Sequence, residues 1–176
     1  MSGYGWERTQ KVNSETLRSQ GNDSGIGLQP TPILRMTTTI AEFEQRVRDS
    51  AGRQAFLTYL GARLTSVSSG AVEIVVPFRE ALGQQHGFLH AGVIATIADT
   101  ACGYAAYTLM PATSEVLTVE FKLNLLRPGV GGEFAARARV LRSGKTITVA
   151  QADVFAINQD QEEQIATMVA TVICKR

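Results

Sequence analysis

The chain holds 176 residues, 44% hydrophobic and 19% charged, with a formal net charge of +1. That composition suits one domain with a substantial core, and its near-neutral balance leaves no electrostatic footprint for nucleic acid or an anionic membrane surface. No run reaches the roughly 20 unbroken apolar residues of a membrane-spanning helix, the start lacks a basic-then-apolar leader pattern, and Cys102 and Cys174 form neither a metal-ligand spacing nor a disulfide framework. A cytoplasmic protein without metal or cofactor is the expectation.

Residues 1–35 are rich in Gly, Ser, Asn, Gln and Pro and show no apolar period, which predicts a flexible extension ahead of a domain over 36–176. Thr37, Thr38 and Thr39 offer caps for a helix through Ile40, Phe43 and Val47. A second short helical piece over 53–60 stops near Gly61. The period then changes to two. Strands are predicted over 62–67 and 71–78, joined by Ser68-Ser69-Gly70. After a long apolar helix come strands over 116–125, 134–141, 146–157 and 164–174. In the first of these Leu117, Val119, Phe121, Leu123 and Leu125 alternate with Thr118, Glu120, Lys122 and Asn124, predicting one apolar and one polar face. One helix among hairpin-linked strands implies an α+β domain, an antiparallel sheet curled round that helix.

The stretch 84–110 organises the rest. Across the twenty residues after His90 it carries one charge, Asp99. At 100° per residue Asp99 shares a face with Gly92, Ala95, Thr96, Cys102, Gly103 and Ala106, while Val93, Ile94, Ile97, Ala101, Tyr104 and Ala105 take the other. A helix with no solvated face is predicted to be buried. Burying a lone carboxylate costs several kcal/mol unless it is paired or used, so Asp99 is the candidate functional group. Cys102 reads as an inert buried thiol, His86 as a loop residue, and Tyr104 and Tyr107 as core or interface aromatics.

The pattern Gln84-x-x-Gly87-x-x-His90-Ala91-Gly92, followed seven residues later by Asp99-Thr100, resembles the signature of PaaI-type hotdog-fold thioesterases. Thr118-Val119-Glu120-Phe121, Arg127-Pro128 and Arg142-Ser143-Gly144-Lys145 fit the same strand pattern. The resemblance implies a hotdog fold of about six strands, hydrolysis of acyl-CoA thioesters, and a homodimer or dimer of dimers with sites at subunit interfaces. By position it implies Asp99 as base or nucleophile, His90 and Gln84 as groups that place the thioester, and the Ala91 N–H as the carbonyl's polariser. Thr118, of the same subunit or of a neighbouring one, would stand near the attacking water. Gln84 replaces a more usual Asn, and Ala91 replaces the first Gly of a His-Gly-Gly.

This chemistry has physical reasons. Free amides at a helix start suit an oxyanion, Gly92 lets a ligand approach the backbone, and a carboxylate two turns deeper leaves room for a carbonyl between. The Arg142 to Lys145 cluster has two readings, a grip on coenzyme A phosphates and an ordinary polar hairpin turn. Two other functions also stand open on sequence: a hotdog hydratase or dehydratase, and a non-catalytic domain that binds acyl-CoA.

Overall fold

The structure is a computed structural model that describes residues 40–175; the extension expected over 1–35 and the caps at Thr37, Thr38 and Thr39 lie outside that range. Helix α1 (Ile40–Gly52) buries Phe43, Val47 and Ala51, spaced four apart so that they share one stripe. Helix α2 (Ala55–Leu60) buries Leu57 and Leu60 and ends at Gly61, whose φ of 70° suits a residue without a side chain. Strands β1 (Arg63–Ser68) and β2 (Ala71–Pro77) form the expected hairpin, with Gly70 at φ 76° in its turn. A 3₁₀ turn (Glu80–Leu82) leads to α3 (Ala91–Tyr107), then to β3 (Glu115–Leu125), β4 (Glu133–Ser143), β5 (Ile147–Asn158) and β6 (Gln161–Lys175).

All six strands lie in one sheet, in the order β1-β2-β4-β5-β6-β3, and every neighbouring pair is antiparallel. The sheet packs on α3 through β2 to β6, the hotdog arrangement that the resemblance implies. Its inner face is lined by small side chains, among them Ala136, Ala138, Ala150, Ala152, Ala166 and Ala170, all buried. They let Ile94, Ile97 and Ala101 of α3 approach closely; each large apolar side chain so buried contributes about 1.5–3 kcal/mol. On the outer face Arg137 donates to Glu73 (2.6 Å) and in a fork to Glu162 (2.6 and 2.7 Å), tying β2, β4 and β6 together. Burial alone would raise the Glu73 carboxyl, but the bonds from Arg137 and Thr65 hold it below the usual range.

The C-terminal end of α3 is anchored twice. The Arg46 guanidinium donates to the carbonyls of Tyr107 (2.7 Å), Met110 (3.0 Å) and Pro111 (2.8 Å) and lies 4.3 Å over the Tyr107 ring. Thr108 Oγ1 accepts from the Gly70 N–H at 2.8 Å, fixing the hairpin turn to the helix. These contacts close the last turns of α3 and leave its first half open.

That opening corrects one expectation. In the single chain α3 is not buried all round: Ala91 and Gly92 are exposed, and Ala95, Thr96, Asp99 and Thr100 are partly so. Cys102 and Ala106, placed by the helical wheel on the same face, are fully buried because the covering elements reach the C-terminal half.

Candidate active site

The site starts at the helix N-terminus. His90 adopts an extended backbone and caps α3, its Nδ1 accepting from the Gly92 N–H at 2.9 Å. With Nδ1 an acceptor, the neutral ring carries its proton on Nε2 and offers it outward. A Cβ on residue 92 would stand 3.0 Å from His90 Nδ1, so Gly92 also leaves room for the cap. The Ala91 N–H makes no hydrogen bond among the described residues, leaving one donor at the positive end of the helix. Gln84 shapes the preceding loop: its Oε1 accepts from the His86 N–H and its carbonyl from the Gly87 N–H, at φ 80°. Gln84, Phe88, Ala91, Ile94, Leu125 and Pro128 line a cavity of about 390 Å³.

Two turns along, Thr118 Oγ1 donates to Asp99 Oδ1 at 2.8 Å. A β-bulge makes this bond possible. Thr118 pairs with Val172 and Glu120 with Thr171, so Val119 is an extra residue. The bulge reverses the alternation upstream of it. Val116 and Thr118 therefore face the helix together with Phe121, Leu123 and Leu125, while Leu117 moves to the outer side. A strict period of two put Thr118 with the polar face; in the structure it meets Asp99 of its own chain.

Burial raises the Asp99 carboxyl above the usual aspartate range, and the Thr118 bond opposes that rise without cancelling it. The group is half-buried, less sheltered than the sequence implied. Burial, then the charges of Asp99 and Asp153, push the Cys102 thiol up to about 12, which agrees with an inert thiol. Asp99 opens on a cavity of about 150 Å³ bounded by Gln54, Thr100, Gly103, Tyr104, Val116 and Thr118. Gln54 was not anticipated. It precedes α2 and reaches Tyr104 Oη with its Nε2 at 2.7 Å; a glutamine between two helices carries no local signal of that long-range bond.

The chain thus assembles two half-sites, Gln84, His90 and Ala91 at one place and Asp99 and Thr118 at another. Eight residues of helix, about 12 Å at 1.5 Å per residue, separate the Ala91 amide from Asp99. A single thioester carbonyl does not span that gap within one chain. The Arg142-Ser143-Gly144-Lys145 turn lines neither cavity. Its Gly144 N–H is used by the Ile147 carbonyl (2.9 Å), and a side chain at 144 would strike the same oxygen. Among the described residues no three His, Cys, Asp or Glu side chains gather as a metal site requires, and no helix is long and apolar enough to cross a membrane.

A sequence model of the thioesterase superfamily matches residues 86–163. A crystal structure of a thioesterase family protein from Silicibacter pomeroyi is 50% identical, superposes with a TM-score of 0.75, and covers 76% of this chain and 98% of its own. A Halobacterium salinarum protein named as an esterase is 34% identical over 103 residues, 56% of this chain and 68% of its own length. The medium/long-chain acyl-CoA thioesterase YigI of Salmonella typhimurium is 32% identical over 86 residues, 42% of this chain, and the match spans 54% of that protein.

Proposed function

This chain belongs to the thioesterase superfamily and is a thioester hydrolase with the hotdog fold, and from that premise we propose that it cleaves acyl-CoA thioesters to a free acid and coenzyme A. The observation that carries the reading is the Asp99–Thr118 pair, a half-buried carboxylate held by one hydroxyl beside a cavity. Asp99 takes a proton from a water that Thr118 also holds, and the water oxygen adds to the thioester carbonyl carbon. The oxyanion rests against the Ala91 N–H, the donor left free by the helix geometry. Collapse of the adduct breaks the carbon–sulfur bond, and the leaving thiolate receives the proton from Asp99. His90 and Gln84 position the thioester beside the helix start. No metal or cofactor enters these steps.

The second half of the proposal concerns assembly. Strand β3 lies at the sheet edge, and Leu117, Val119, Phe121 and Leu125 on it are about half exposed. An unpaired edge with apolar side chains beside the open half of α3 favours a second copy. A two-fold pairing would bring the Ala91 amide of one subunit to Asp99 of the other and close the gap within each chain. The minimal active unit is then a homodimer, able to pair again as a dimer of dimers. Arg142 and Lys145, exposed cations without an ion pair among the described residues, suit the coenzyme A phosphates. Coenzyme A as co-product fits the cytoplasmic setting expected from the sequence, and the name of the YigI relative supports an acyl-CoA substrate.

A panel of aliphatic and aryl acyl-CoA esters with thiol detection tests the reading. The protein should release thiol from members of the panel. The Asp99→Ala variant should fold and assemble while losing on the order of a hundredfold or more in rate. An unchanged rate in that variant, or no release from any ester by the parent protein, overturns it.

A further inference from the structure

Gly103 lies in the C-terminal part of α3, one turn beyond Asp99 on the same face. Its backbone is ordinary helix, so no turn or left-handed conformation calls for glycine there. Glycine is among the poorest helix formers, and alanine the best. A Cβ built on residue 103 would meet nothing within 4 Å, so no close packing excludes a side chain. Its lack of one leaves open space beside the Asp99 cavity, which Gly103 and Tyr104 both line. Gln54, exposed and lining the same cavity, is pinned because its Nε2 donates to Tyr104 Oη (2.7 Å), which in turn donates to Ser50 Oγ (3.3 Å). The Gln54 amide oxygen accepts no hydrogen bond among the described residues. Gln54 and the two helices it joins lie outside the residues 86–163 matched by the superfamily model.

We propose that the acyl group of the substrate lies over Gly103 and against Gln54, so that Gly103 sets the bulk of acyl group accepted and Gln54 selects acyl groups bearing a hydroxyl. This deepens the acyl-CoA reading and rests on it. The distance from Asp99 to Gly103 along the helix is about 6 Å, so the contact falls a few carbons from the carbonyl. The Gln54 oxygen supplies an acceptor there, and only a ligand with a donor can use it. Gln54 is exposed in the single chain, so an unbranched alkyl group lying over its oxygen displaces water there and leaves it unpaired, which is the stronger form of discrimination.

The test compares the parent, Gly103→Ala and Gln54→Leu on straight-chain acyl-CoA esters from acetyl to octanoyl and on their hydroxylated counterparts. It measures kcat/KM, and also Kd for the matching non-hydrolysable thioethers. Gly103→Ala should melt no lower than the parent, yet its octanoyl-to-acetyl ratio should fall by roughly tenfold or more. Gln54→Leu should lower the hydroxyacyl-to-acyl ratio by a similar factor at equal chain length. Ratios equal to the parent's in both variants overturn the proposal. So does a Gly103→Ala protein whose association state changes while its ratios do not, since that outcome gives the space to a partner subunit. Failure of the hydrolysis reading has a different signature, absence of thiol release from every ester; the thioether Kd series then still decides the acyl contact.

Discussion

The Thr118 hydroxyl donates to the Asp99 carboxylate at 2.8 Å because Val119 is bulged out of register between β3 and β6. A strand without that bulge would turn Thr118 to the outer face and leave Asp99 with no partner. The bond has two consequences in opposite directions, since it holds the carboxyl down against the rise caused by burial and also orients the oxygen that accepts the water proton.

Thr118→Val removes the donor and keeps the shape. The Asp99 carboxyl should then rise further, because the group that opposed desolvation is gone. A general base works only when deprotonated, so the acid limb of kcat/KM against pH should move to higher pH. The plateau should fall roughly ten- to a hundredfold from loss of water positioning. An acid limb that stays in place would separate Asp99 from the observed titration.

Asp99→Asn keeps the acceptor for Thr118 and removes the charge. The folded-state value of Asp99 lies above its unfolded value, so the folded chain holds this proton at pH values where the unfolded chain has released it. Stability from this group therefore declines as pH rises through that window and stays lower above it. The Asn variant should melt at or above the parent at neutral pH, with the difference vanishing below the ordinary aspartate range. Calorimetric scans across pH check this, and a variant that melts lower at neutral pH contradicts it.

Arg46 bonds three carbonyls at the end of α3 while its Nε is buried without a partner. Arg46→Met should lose about 2 kcal/mol, the worth of charged hydrogen bonds partly offset by release of that unsatisfied group. The melting temperature should drop by roughly 5 °C. Because Arg46 fixes α1 against α3, and Gln54 follows α1, the variant should also lose selectivity between acyl groups. A melting point within a degree of the parent would remove Arg46 from this role.

Much of this was legible in the chain because it depends on local pattern. The strands over 134–141, 146–157 and 164–174 were legible as apolar runs between turn segments, and the burial of β5 alternates along its length. Asp99 was legible as the one charge in an apolar helix. Three things were not. The bulge at Val119 depends on pairing with β6, fifty residues away, and nothing in the strand's own alternation shows it. Gln54 acts through Tyr104, far along the chain, with ordinary residues on either side. The wheel placed Asp99 on a buried face because it sees spacing and not the elements that cover each turn. It also suggested room for a carbonyl between Ala91 and Asp99, where the helical rise makes that distance too long for one chain.

The central claim is that each site joins Asp99 of one subunit to the Ala91 amide of another, and mixing two inactive variants tests it directly. Ala91→Pro removes the amide while suiting the first position of a helix, and the extended His90 before it tolerates proline. Asp99→Ala removes the base. In a two-fold dimer of the two variants both lesions fall in one site and the other is intact, so a 1:1 mixture unfolded and refolded together should recover about a quarter of the parent rate on acyl-CoA. A mixture as inactive as either variant alone, with mixed dimers shown to have formed, would contradict the shared site.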